Sequence, residues 1–551
     1  MTNMRVPFWG LLQLFAVLLA PSEAWEASTS QNLSITVTAN TPSNAFYVAP
    51  NGKDSNPGTL ASPFATLQAC QAAMRNSSSI KTCYIRAGTY TGSGVGYNTQ
   101  SLPGDGYTLQ ASLALTSADN GETYTEYPSD FPLNGISSAI FDGGAATWTT
   151  TGSASCPAAS PPYSVMDHGI VISGGSNITI DRLQIRNYCI AAVLLQGGPN
   201  NRDDACANQA PASNSNGNTI SNLYMANFSN YNSNCGAGAY VGALHSVGTN
   251  TNLTITHNVL FNTTSRGISV QVNPCGTGRT SESINGLMIS YNVVYDVAYQ
   301  VTDTGAFDLQ DCAGIAEAKT IKYNFVANFG PKGQPQVINA FYNDDGISDM
   351  TRFGNVAVST GDTCYFTHGP RNTAPNLDYG NICDTVNTAV AETRGGYWVS
   401  SASETNPPTS FAATWQQNLV IGNTASCASG VCAIQVNWSS PAGTTTFPGA
   451  GSNNNDYYNY GSGGTTLLQS EATGQGDTNG GATAPAFTCN VSGTNSWTYV
   501  LASNSPLYTA PFNFPQQPSG WGTPGFWGPP GYVIPHVSQI PSYIGSGVNG
   551  C

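Results

Sequence analysis

The chain has 551 residues, of which 40% are hydrophobic and only 8% charged, and 30 Asp and Glu against 16 Lys and Arg give a net charge of −14. That balance, with no basic blocks, excludes nucleic acid and anionic lipid as partners, because such a surface repels both polyanions. Low charge with abundant Asn, Ser, Thr, Gly and Tyr suits a neutral carbohydrate ligand instead.

Residues 1–24 have the form of a secretory signal peptide, with Arg5 ahead of the apolar run Leu11–Ala20 and a small-x-small cleavage site at Ser22-Glu23-Ala24. The run is short of the ~20 residues that span a bilayer, and no other segment is a spanning candidate. A secreted, extracellular protein follows, with no membrane contact after cleavage. Its 14 cysteines are an even number that suits disulfides, with Cys70–Cys83 and Cys427–Cys432 as the pairings that local spacing suggests. Sequons stand at Asn32, Asn76, Asn177, Asn227, Asn252, Asn262, Asn437 and Asn490.

In chain order, 25–44 is a Ser/Thr/Asn-rich flexible entry. A short strand at Phe46-Tyr47-Val48 precedes a helix running to about Arg75, with Ser62 as N-cap, Pro63 in the first turn, and Phe64, Leu67, Cys70 and Met74 along one face. A second strand, Thr82–Tyr90, closes on the turn at Gly88. One helix followed by many strands is the pattern of a lid over the open end of a β-stack.

One phrase then recurs. Asn177–Asn187, Asn252–Asn262, Asn285–Asp296, Lys319–Asn328 and Met350–Val358 each alternate apolar and polar residues around a central turn. Asn258, Asn292, Asn324, Asn355 and Asn381 recur at intervals of 34, 32, 31 and 26 residues, a period that marks a solenoid or propeller. An Asn between two short strands suits a left-handed turn position, and stacked Asn amides can form a hydrogen-bonded ladder, so a parallel β-helix is favoured. Long polar segments at 187–218, 228–251 and 270–285 are expected to wall a groove on one face. Beyond about 400 the repeat fades, although Trp415–Asn423 resembles one more coil and Asn453–Tyr460 the start of another. The tail from Pro511 carries Trp521, Phe526, Trp527 and Tyr532, and is expected to pack as a cover. The expected fold is all-β: a right-handed parallel β-helix over 45–505, with a short N-terminal capping helix and an irregular Pro/Gly-rich tail at 506–551.

Acids gather in 302–345: Asp303, Asp308, Asp311, Asp344 and Asp345. The pairs Ala306-Phe307 and Ala340-Phe341 are 34 apart (340 − 306), which stacks Asp311 under Asp345 (345 − 311 = 34) if both mark one strand on successive coils. Carboxylates brought together on adjacent coils suit acid/base cleavage of a sugar bond. Aligning Tyr365 with Phe341 places His368 one coil above Asp344. His368, Arg266, Arg371, Asp308 and Asp311 make up the expected substrate-binding set. Tyr342 and Tyr365 are taken as core aromatics and His245 as structural.

Phe46–Asp54, Ser62–Leu67 and Ile85–Tyr90 resemble the N-terminal entry of right-handed parallel β-helix carbohydrate enzymes. Asp303-Thr304-Gly305-Ala306-Phe307, followed by Ala340–Gly346, is similar to the β-helical β-xylosidase and α-L-fucosidase/xylanase type of glycoside hydrolase. The resemblance implies a catalytic pair made of Asp303 as nucleophile or base and Asp344 or Asp345 as general acid. It implies hydrolysis of a wall polysaccharide or oligosaccharide; a monomer without a cofactor is expected, and no specific motif supports calcium. The rivals are a lyase or uronate epimerase of the same fold, which needs a cation or basic group for the uronate, and a non-catalytic carbohydrate-binding or effector β-helix.

Overall fold

Each recurring phrase is two of the three strands of one coil. Thr179–Asp181 belongs to sheet 1, Gln184–Tyr188 to sheet 2 and Ala191–Gln196 to sheet 3, and the next coil repeats the order with Thr219–Ser221, Tyr224–Phe228 and Gly242–Val247. The computed structural model describes residues 44–91, 98–101, 108–144, 148–149, 152–153, 168–198, 213–228, 242–272, 282–298, 304–311, 317–329, 338–344, 346–358, 363–368, 376–384, 396–400, 413–421, 434–437, 452–453, 456–458, 499–510 and 513–534. The expected signal peptide, most of the entry segment, Asp303, Asp345, Arg371, Cys427, Cys432, Asn32 and Asn490 lie outside them. Among the described residues, sheet 1 has 12 strands and sheets 2 and 3 have 11 each, every strand pairing with its counterpart on the neighbouring coil. Pairing in these sheets is parallel except where Asn98–Ser101 folds back on Thr108–Thr116. This is the connectivity of a parallel β-helix. No helix among the described residues is long and apolar enough to cross a membrane.

The hollow is filled by inward columns. On sheet 1, Ile180, Ile220, Ile255, Ile289 and Ile321 stack in register. On sheet 3, Phe307, Phe341 and Tyr365 stack with ring centroids 4.8 and 5.1 Å apart. Tyr365 is thus a core residue, as expected, and its hydroxyl donates to the carbonyls of Asn355 and Ile382.

The corner between sheets 1 and 2 carries the asparagine ladder. Nδ2 of Asn258 donates to Oδ1 of Asn292 at 2.9 Å, and the same bond links Asn292 to Asn324, Asn324 to Asn355, Asn355 to Asn381 and Asn381 to Asn418. Each Oδ1 also accepts a backbone N–H from the coil before, as Asn324 does from Asn292, so buried amides are satisfied along the stack. The ladder asparagines are not the left-handed residues, which corrects the expectation. The positive φ falls one place earlier, on His257, Tyr291, Tyr323, Gly354, Gly380 and Gln417, at 53–64°. A second Asn ladder, Asn187–Asn227–Asn262, lies within sheet 2 and does use positive φ (59–67°).

The N-terminal helix runs Leu67–Asn76. Its cap is Thr66 rather than Ser62: Oγ1 of Thr66 accepts from the Ala69 N–H. Leu67, Cys70 and Met74 face the stack and Cys70 is joined to Cys83, the pairing expected from spacing; a second disulfide joins Cys364 to Cys383. At the other end, Trp521, Trp527, Tyr532, Leu501 and Phe514 pack on the outer side of sheet 2 against Val259, Val293, Phe325, Val356, Ile382 and Leu419.

Candidate active site on the outer face of sheet 3

Sheet 3 holds Arg266–Val272, Thr304–Asp311, Ile338–Asp344 and Thr363–His368 on four successive coils. Strand alternation should send every second residue outward. It does so from Phe307 onward: Phe307 and Leu309 enter the core, while Asp308 lies in register with Ser269 on one side and Tyr342 on the other. Tyr342 and Phe366 form an apolar cluster separate from the core, stacked at 4.8 Å. Tyr342 is therefore an outer-face residue, which corrects its reading as core.

Alternation fails at the start of each strand. Ala306 and Phe307 both belong to the core, as do Ala340 and Phe341. A Cβ built on Gly267 would lie 2.7 Å from Cγ1 of the core residue Val294, so the side next to Ile268 also faces inward. That kink turns Arg266 outward. Its guanidinium meets Asp308 at 2.8 Å and its Nε donates to Oγ1 of Thr304 at 3.3 Å, with Arg266 and Asp308 1% and 0% exposed.

One column of the face is His245, Ser269, Asp308, Tyr342 and Phe366, one residue per coil. Two positions further along the strands lies a second: Gln271, Gln310, Asp344 and His368. There Nδ1 of His368 approaches Oδ1 of Asp344 at 3.3 Å, and the Tyr342 hydroxyl donates to the same oxygen at 3.1 Å. His368 and Asp344 are 16% and 17% exposed, so the face opens to solvent at this pair. The ladder puts His368 beside Asp344 at the offset read from the sequence.

The register also separates residues that the sequence grouped. The 34-residue offset holds, since Gln310 pairs with Asp344 and Thr304 with Ile338. Yet Thr304 and Gln310 are six residues apart on one strand, about 20 Å at ~3.3 Å per residue. Asp311 forms a 2.5 Å ion pair with Lys319, both fully buried, and the Lys319 ammonium donates further to the carbonyls of Glu317 and Ser348.

What the register brings together is Asp308 and Asp344. They lie on adjacent coils and two positions apart, both on the outer side. One strand spacing of ~4.8 Å and two residues of ~3.3 Å put their Cα atoms about 8 Å apart. The sequence reading missed Asp308 as a partner for Asp344 and missed the Tyr342 hydroxyl; spacing of 36 (344 − 308), the coil period plus two, is the signal that identifies the diagonal. Among the described residues, no group of three or more His, Cys, Asp or Glu is placed to hold a metal ion.

No family model and no curated protein matches the chain. Among solved structures it is similar to a rhamnogalacturonan lyase (14% identical, covering 80% of this chain and 94% of that one, TM-score 0.42). It is also similar to a GH136 lacto-N-biosidase from Eubacterium ramulus (11% identical, 75% of this chain and 67% of that one, TM-score 0.41) and to the catalytic domain of a GH87 alpha-1,3-glucanase (11% identical, 79% and 71%, TM-score 0.35).

Proposed function

We propose that the outer face of sheet 3 hydrolyses a glycosidic bond of a polysaccharide or oligosaccharide, with Asp308 and Asp344 as its carboxyl pair. The observation that carries this reading is the contrast between two carboxyls on adjacent coils, one held by Arg266 and the other open to solvent beside His368 and Tyr342. Asp308, held by Arg266 at 2.8 Å, is assigned as the base that activates water. Asp344, the more exposed of the two carboxyls, is assigned as the general acid on the leaving oxygen, with the Tyr342 hydroxyl and the His368 ring beside it. Inverting glycosidases hold their carboxyls ~6.5–9.5 Å apart to leave room for that water, and inversion at the anomeric carbon is the outcome this reading expects.

This proposal includes a mature protein secreted after removal of 1–24, wound in the right-handed sense usual for parallel crossovers, and acting as a monomer without a cofactor. It retains the enzyme class read from the sequence and replaces Asp303 by Asp308. The test is incubation with a panel of wall polysaccharides. Reducing ends without ultraviolet absorbance, lost in Asp308→Asn and Asp344→Asn, are expected. Unsaturated, ultraviolet-absorbing products identify a lyase instead, and turnover that persists in both variants removes the pair.

A further inference from the structure

A buried arginine on a saccharide-facing surface is the natural seat for a sugar carboxylate, since its planar fork matches that group. Here the seat is taken. Arg266 is 1% exposed and its guanidinium lies 2.8 Å from the carboxylate of Asp308, itself fully buried. Beside the pair stands Ser269, in register with Asp308 and, on its other side, with His245. Its hydroxyl is fully buried and has no hydrogen-bond partner among the described residues. Gly242, in register with Arg266, has no side chain to crowd this place, and a Cβ there would come within 2.8 Å of the Ser269 Cβ.

We infer that Asp308 acts as a built-in substitute for a sugar carboxylate on Arg266, so that the subsite beside it, with the Ser269 hydroxyl as its free hydrogen-bonding group, selects an uncharged sugar over a uronate. The inference rests on the outer face of sheet 3 being the saccharide site and specifies the substrate class taken there. The charges of Arg266 and Asp308 cancel, so a uronate entering the subsite meets no free cation among the described residues beside it and finds a second carboxylate close by. A neutral sugar meets no such opposition, and its hydroxyls can bond the Ser269 hydroxyl, which is both donor and acceptor. A buried hydroxyl without a partner costs stability until something bonds it, so a sugar hydroxyl placed there gains that bond.

The experiment measures binding rather than turnover, so its failure is distinct from failure of the hydrolase reading. Wild-type protein is titrated calorimetrically with neutral xylo-oligosaccharides and with galacturonate oligosaccharides. At least tenfold tighter binding of the neutral series is expected; equal or tighter binding of the uronate series overturns the inference. Asp308→Asn vacates the seat on Arg266. Its melting temperature is expected to rise by a few degrees with galacturonate but not with galactose, because a ligand that binds only the folded state stabilises it. Wild type shows no such rise. A folded Asp308→Asn protein that responds equally to both sugars, or to neither, overturns the inference, and the wild-type titration decides the matter should that variant not fold. Ser269→Ala is expected to weaken neutral binding about fivefold at unchanged or higher melting temperature; unchanged affinity removes Ser269 from the subsite.

Discussion

Arg266–Asp308 and Arg352–Asp378 have the same chemistry and the same burial on opposite sides of a sheet wall. Arg352 and Asp378 continue the inward isoleucine column of sheet 1, directly above Ile321. There every direction is filled. The Arg352 guanidinium binds Asp378 through two nitrogens, the carbonyls of Phe341 and Phe366 and the hydroxyl of Thr367, and lies 5.5 and 5.9 Å from the ring centroids of Tyr365 and Tyr397. Arg266, by contrast, sits on the outer face, with an unpartnered hydroxyl beside its aspartate and a solvent-open carboxyl one diagonal away. A buried ion pair therefore indicates a site by what surrounds it, not by its depth. The inner pair is enclosed by bonded partners on every side; the outer one, equally buried, has an unpartnered hydroxyl beside it and a partly exposed carboxyl one diagonal away.

The sharpest way to break this comparison is kinetic. Asp308→Asn and Asp344→Asn are each expected to lower kcat/KM by about 10²- to 10⁴-fold, the usual scale for loss of a general acid or base. Asp378→Asn, assayed well below its melting temperature, should stay within about threefold of wild type. Equal losses at 308 and 378 would show that both act through stability and that the outer pair has no special role.

The second test reverses the readout. Arg352→Met leaves Asp378 buried without its cation and is expected to cost about 3–5 kcal/mol in urea unfolding. Arg352→Met with Asp378→Leu removes both charges and should return to within about 1 kcal/mol of wild type or exceed it. A double variant no better than the single one would mean that the pair's bonds to Phe341, Phe366 and Thr367 hold the coil together.

The coil period made the stacking legible in the sequence. Asn258 to Asn381 recur because each must meet the next, and the ladder is there. The turn residue beside each Asn was not legible, because the left-handed position accepts His257, Tyr291, Gly354 or Gln417 and leaves no compositional mark. Sheet 3 was only partly legible, since its strands are buried on both faces and the kink at Ala306-Phe307 breaks alternation. A period states which residues stack but not how far apart they lie along a rung. That is why the 34-residue offset was right while Asp308 and Asp311, three residues apart, take different partners, Arg266 on the outer side and Lys319 in the interior.

A smaller effect tests whether the ladder is a scaffold of the same kind as the inner pair. Asn324→Ala removes the acceptor of Asn292 and the donor to Asn355. It is expected to cost about 1–3 kcal/mol, the penalty for buried polar groups left unpaired, with catalysis intact in the folded fraction. A loss below about 0.5 kcal/mol would mean that the strand pairing alone holds the corner.

The smallest effect separates an outer-row residue with a partner from one without. His168 takes the place of Arg266 three coils earlier, just ahead of Gly169, whose Cβ would meet the core residue Ile185 as that of Gly267 meets Val294. Unlike Arg266 it has no bonded partner at either ring nitrogen among the described residues, and burial pushes its pKa down to about 3. The folded state then holds it neutral while the unfolded chain titrates near 6.5. Above that value its protonation has no effect on stability. As pH falls toward 3 the unfolded state binds one more proton, and stability declines by up to about 1.4 kcal/mol per pH unit. Glu122, raised to about 7 by burial, opposes this between about 4.5 and 7, so the wild-type profile alone does not isolate the histidine. Comparison with His168→Leu does, because Glu122 is common to both proteins. Relative to wild type, the leucine variant should gain about 1.4 kcal/mol more at pH 5.5 than at pH 8. An equal difference at the two pH values would mean that His168 is bonded in solution and belongs with Arg266 rather than in contrast to it.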